Sequence, residues 1–218
     1  MAKTVQPSMA KKIIFASIIF LTAICSCHNK KPVPAENNSS PAPTQKEIAV
    51  NKDSLLLELT DQILAALEAK DYPKISSYFH PVYGVRFSPY AYIDTLADVR
   101  LKKETFNELV KKQTKLRWGS FNGSGEDIFM TVPQYFGRFV YNANYKKDGE
   151  KYVNKVNGKG NTKNNMNVIY QGLDFIECYI PGFDKKMDGM DWCSLRLVFK
   201  KYHEQYFLVG IVHDQWTI

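Results

Sequence analysis

Two hydrophobic periods divide the chain. Between Asp53 and Val140 apolar residues recur at three- and four-residue spacing, as on helices with one buried face, and after residue 167 they alternate as on strands. Leu56, Leu59, Ile63, Leu64 and Leu67 predict a helix over 54–70, with Asp53 as cap and Lys70-Asp71 before Pro73 as stop. A short helix over 72–79 ends at His80-Pro81. The aromatic stretch 85–93 is extended, and Pro89 bars it from a central, fully hydrogen-bonded strand position. Helices follow at 103–114 and from Val132-Pro133, the second turning Tyr135, Phe136, Phe139 and Val140 inward. A strand at 115–121, expected in one sheet with the later strands, closes at Asn122-Gly123-Ser124-Gly125. Residues 142–167 are polar, basic and rich in Gly and Asn, and read as a long surface excursion. The end reads as β: 168–170, 174–180, 193–202 and 206–216, with a tight turn at His203-Glu204-Gln205. Helices followed by an antiparallel meander predict an α+β domain, its helices packed on one face of a curved, mainly antiparallel sheet.

The start of the chain follows neither period. Lys11-Lys12 precede an apolar run over 13–24, too short for ~30 Å of hydrocarbon. The run ends in Ile24-Cys25-Ser26-Cys27, which resembles a bacterial lipobox cleaved between Ser26 and Cys27. Residues 1–26 are then a lipoprotein signal peptide, and Cys27 carries the diacylglycerol that holds the protein to a membrane. Residues 27–50, rich in Pro, Ala, Asn and Ser, make the lipidated cysteine and a disordered tether. The globular domain covers 51–218. The expected place is the cell envelope, and His28, standing where aspartate favours inner-membrane retention, points to the outer membrane.

Charge excludes one class of partner. The signal removes three lysines and no acid, so a formal charge of +7 becomes +4, a solubility feature with no nucleic-acid footprint. Cys178 and Cys193 remain after processing. An oxidising compartment permits a disulfide between them, and two buried thiols are the alternative. With four histidines in the chain, one of them in the tether, neither a metal site nor a cofactor is expected. Asp184, Asp188 and Asp191 around Gly189 read as a capped turn, because Lys186 stands at a ligand position of a calcium loop.

Three stretches carry a resemblance: His80-Pro81-Val82-Tyr83-Gly84-Val85-Arg86-Phe87-Ser88-Pro89-Tyr90, Trp118-Gly119 with Gly123-Ser124-Gly125, and the chain end from Val209 to Ile218. Together with the element order they resemble a bacterial lipoprotein family with a nuclear-transport-factor-2-like (cystatin-like) α+β cone, over most of 53–218. The resemblance implies a cone with a pocket on its concave face and implies no activity, since such cones host isomerases, dehydratases, hydrolases and binding modules. Insertions at 142–167 and 181–191 exceed a minimal cone.

The candidate residues are polar groups alternating with apolar ones. In a regular last strand Phe207, Val209, Ile211 and His213 share one face, so His213 and the adjacent Asp214 point apart. His213 as general base would need another acid, and Glu177 is nearest by topology. The plainer reading is a hydrogen-bonded histidine at a strand end. Arg86 offers a bidentate fork to a carboxylate or phosphate, or a structural ion pair. Arg196 reads as a partner of Glu177 or Asp214. Tyr90 and Trp118 are candidates for an aromatic wall, with core packing as the alternative. Arg86, Tyr90, Trp118, Arg196 and Asp214 are thus the expected ligand lining, under the long helix. Two functions follow. One is a non-catalytic binding or accessory domain of an envelope lipoprotein, taking a small molecule, an envelope protein or a glycan. The other is a small cone-type enzyme with His213 or Glu177 as general base.

Overall fold

A computed structural model describes residues 45–217 apart from Lys159, with side chains from Lys52 onward. The signal peptide, Cys27 and most of the tether lie outside the described residues.

Helix α1 (Gln45–Glu68) starts well before Asp53, which therefore lies inside the helix instead of capping it. Its apolar positions behave as their spacing requires: Leu56, Ile63, Leu64 and Leu67 are buried in the main core. Helix α2 (Tyr72–Ser77) is capped by the Asp71 carboxylate, which accepts from the Lys74 amide at 3.0 Å, with Pro73 in the first turn. Strand β1 (Val85–Ser88) stops before Pro89, β2 (Arg100–Leu101) is short, and α3 spans Lys103–Lys112. A Thr131–Gln134 capping box opens α4 (Val132–Tyr135), which continues into a π-helical turn over Phe136–Val140.

The main sheet is mixed, with order β2-β1-β8-β7-β6-β5, where β5 is Glu150–Val153, β6 Asp174–Ile180, β7 Cys193–Tyr202 and β8 Gln205–Gln215. Every pairing is antiparallel except β1 with β8, which is parallel. The barrel is not closed: β2 and β5 are edges. Strand β3 (Leu116–Ser120) does not join this sheet, contrary to expectation. It pairs only with β4 (Asp127–Met130) as a separate hairpin, because the Asn122–Gly125 turn returns the chain onto its own strand.

Two corrections concern the polar stretches. Residues 142–167 are not a surface excursion: they contain helix α5 (Tyr145–Asp148), the edge strand β5 and the first two residues of α6 (Met166–Ile169). Tyr145 and Met166 are buried. The Lys and Glu that make β5 look like loop are ordinary protection for a sheet edge. Residues 168–170, expected as strand, belong to α6 and its C-cap.

The sheet has two differently covered faces. Leu195, Leu197, Ile211, Phe87 and Ile176 face α1, α3 and the π-helical turn in the main core. Val198, Val209 and Val212 face Ile93, Met166 and Tyr170 in a smaller second core. Asn165 ties the cover of that second face to the chain after β1, its amide exchanging hydrogen bonds with the Ile93 N–H (2.8 Å) and C=O (3.0 Å).

The last strand breaks the expected alternation. Val198 pairs with Gly210 but Phe199 pairs with Leu208, so Val209 is an extra residue in β8. The bulge puts Leu208 with Ile211 in the main core and Val209 with Val212 in the second. Trp216, just past the last strand, is 41% exposed.

Candidate functional site: a cationic groove beside a sealed ion network

The sequence-nominated residues fall into three places. Glu177, Arg196 and Asp214 lie on the second face of the sheet: Glu177 and Arg196 are direct partners across β6 and β7, and Asp214 on β8 is opposite Ser194, two residues from Arg196. Arg196 Nε donates to Glu177 Oε1 at 2.8 Å and its Nη2 to Asp214 Oδ2 at 2.7 Å. Glu177 also accepts from the Ser194 hydroxyl at 2.7 Å and from the Asn157 and Gly158 amides. The network is sealed: Glu177 and Arg196 have no exposed surface and Asp214 almost none. Gly158 passes so close that a Cβ there would meet Trp192 and Arg196 Nη2. Two carboxylates share one guanidinium, and burial pushes the Asp214 carboxyl up against the pull of Arg196. Arg196, expected to pair with Glu177 or Asp214, pairs with both acids at once.

His213 lies on the opposite face, completely buried. Its Nδ1–H donates to the Pro89 carbonyl at 3.0 Å and its ring packs edge-on against Phe139 at 5.8 Å. Burial in this apolar setting depresses its basicity to a pKa of about 4, and Nε2 has no partner. Glu177 and His213 project from opposite faces of one sheet, so they form no acid–base pair with each other. Trp118 and Tyr90 are core residues. Trp118 stacks on Tyr135 at 4.0 Å and donates its indole N–H to the Met130 carbonyl at 2.9 Å, and Tyr90 packs on Phe139 at 5.7 Å.

Arg86 is the nominated residue that reaches an opening. On β1 it shares the second face with the sealed network but joins a separate cluster. Its Nη1 donates to the carbonyls of Asp94 (3.3 Å) and Thr95 (3.0 Å), while Nε is buried with no partner. The side chain, 8% exposed, lines a groove of about 410 Å³ together with Tyr83, Arg100, Tyr170, Lys200 and Val209. Arg86 and Arg100 are direct cross-strand partners. Lys200 Nζ stands 4.2 Å from the Tyr83 ring centroid at the rim, a cation–π contact. The Tyr170 hydroxyl, also buried and without a partner, lies against Gly210 of β8, where any side chain would collide with it.

The electrostatics of the groove are one-sided. None of its lining residues is acidic. The nearest counter-charge is Asp98, which accepts from the Ser88 hydroxyl and, at 3.1 Å, from the Asp94 amide. Burial pushes the Asp98 carboxyl up to about 6, opposed by Ser88 and the Arg86 charge. Burial likewise raises the Tyr170 phenol to about 12, and burial with the neighbouring Arg86 lowers Arg100. A second cavity of about 480 Å³ shares Tyr170 and Leu173 with the groove, but its lining is uncharged, including Asn154, Asn164 and Asn167.

The groove-lining residues Tyr83, Arg100, Tyr170 and Lys200 were not nominated from sequence. One signal was present: Gly210 is an isolated glycine inside a strand pattern, which marks a close approach by another group. The cysteines are free buried thiols. Cys178 pairs with Leu195 and Cys193 with Ile180, an offset of two residues across β6 and β7. Asp191 accepts from the Phe183 and Asp184 amides at 2.8 and 2.7 Å, which makes 181–191 a carboxylate-capped turn.

Comparison of the chain with protein-family models, with curated proteins and with solved structures finds no match.

Proposed function

We propose that this chain is an exported envelope lipoprotein, acylated on Cys27, whose domain is a nuclear-transport-factor-2-like cone that binds a small molecule without transforming it. The basic, apolar and small-residue order ahead of Cys27 supports the anchor, and a mixed six-strand sheet with a long helix on one face supports the cone. The observation that carries binding is Arg86: an almost fully buried arginine that lines a groove of ligand size together with Arg100 and Lys200, with no acid in the lining. The enzyme reading has less to stand on, because Glu177 is saturated by four donors and His213 faces an aromatic core.

A ligand screen tests the reading. The ¹⁵N-labelled full chain in neutral detergent is titrated with a mixed library of neutral, cationic and anionic small molecules. The expected perturbations cluster on the amides of Arg86, Tyr170, Lys200 and Val209. A library without hits, or hits that map to other surfaces, overturns it.

A further inference from the structure

We infer that the Arg86 groove is a phosphomonoester site, a deepening that rests on the groove being the ligand site. Arg86 and Arg100 face each other across β1 and β2, a like-charge pairing that destabilises a sheet unless an anion lies between or beside the two. Asp98 relieves only the inner arginine. Among the described residues neither Arg100 nor Lys200 has an ion-pair partner, yet both line the same groove as Arg86. Three cations thus surround one opening that contains no acid.

The donors are pre-oriented. Asp94 and Thr95 carbonyls hold the Arg86 guanidinium by Nη1, which fixes its charge at the groove wall. The Tyr83 ring holds the Lys200 ammonium at the rim. Tyr170, packed against Gly210, closes the groove beside them.

The number and spread of these donors select the anion. One carboxylate is satisfied by a single guanidinium fork and would leave two cations unanswered. A phosphomonoester dianion has three non-bridging oxygens and a charge near −2 above its second pKa of about 6. It can be met by Arg86, Arg100 and Lys200 together. The lining also includes Val168, Leu173 and Val209, which suits an organic group on the fourth oxygen. A soluble phosphate ester and a lipid phosphate headgroup share this chemistry.

Calorimetric titration of the full chain in neutral detergent with phenyl phosphate, slightly above neutral pH, tests the site. Saturable binding is expected, about tenfold weaker with the single charge of benzoate and lost with benzyl alcohol. Arg100→Gln and Lys200→Gln, both at the accessible rim, should each weaken binding about fivefold or more with unchanged melting temperature, and Arg100→Glu should abolish it. The same titration with a soluble short-chain phosphatidic acid assigns the carrier: binding tighter than for phenyl phosphate, and abolished by Arg100→Glu, makes it a lipid headgroup. The reverse makes it a soluble ester. Absent phenyl phosphate binding, binding indifferent to Arg100→Glu, or benzyl alcohol binding as well overturns the inference. If neutral compounds still perturb the groove amides, the groove reading survives that failure, and if nothing does, both fall.

Discussion

Tyr170 and Gly210 are fitted to each other: the phenol oxygen fills the space in which a β-carbon at position 210 would stand. The contact joins the cover of the second sheet face to the strand that bears the bulge. Gly210→Ala should push the ring out of the second core and cost about 1–3 kcal/mol, read in urea denaturation. Tyr170→Phe should cost nothing or stabilise slightly, since it removes a buried hydroxyl that has no partner. A neutral Gly210→Ala would mean that α6 is held elsewhere.

Removing Arg196 should be among the costliest single changes in the domain. Arg196→Met leaves Glu177 and Asp214 as buried carboxylates without their counter-ion, at a cost of about 3–5 kcal/mol near neutral pH. That loss should shrink toward acid pH, because protonation of the two acids removes the uncompensated charge. Equal destabilisation of parent and variant at all pH values would sink this account.

Two buried groups should tilt the acid limb of stability in opposite senses. His213 titrates near 4 when folded against about 6.5 when unfolded, so the unfolded state takes up its proton first as pH falls. That exchange removes about 3 kcal/mol between roughly pH 6.5 and 4. Asp98 titrates near 6 when folded against 3.8, so the folded state takes up its proton first and gains as pH falls over roughly 6 to 4. Its partial exposure holds the gain to about 1–2 kcal/mol. His213→Gln should therefore flatten the acid limb and Asp98→Asn should steepen it. Chemical denaturation across that range decides, and identical pH profiles for all three proteins would refute both assignments.

The anchor has its own readout. Cys27→Ala should move the protein from the membrane to the soluble fraction or leave it as unprocessed precursor, since no described helix is long and apolar enough to span a bilayer. Unchanged fractionation would remove the lipobox reading.

Much of the scaffold was legible in the chain. Helical spacing marks the buried face of α1, Pro89 ends β1, Pro133 marks the start of α4, and alternation marks β6, β7 and β8. Local chemistry sufficed in each case, because a period of 3.6 or 2 and a missing amide act within a few residues. Alternation also placed Glu177, Arg196 and Asp214 together, and the pairing follows once β6, β7 and β8 are neighbours.

What the chain did not disclose depends on contacts between distant segments. Whether β3 enters the main sheet, and whether 142–167 is loop or edge strand, is settled by which partner offers free backbone groups, and neither segment carries that in its own residues. The bulge at Val209 adds one residue to a strand and so reassigns Leu208, invisibly to any alternation rule. The groove is the extreme case. Arg86, Arg100, Tyr170 and Lys200 are spread over more than half the domain, and only the parallel pairing of β1 with β8 and the packing of α6 over Gly210 make them neighbours. Sequence alone thus determined the α+β class and the candidate export signal, both written in local periodicity and composition. Tertiary structure decided which charges are sealed and which face an opening, because burial belongs to the assembled sheet and its cover.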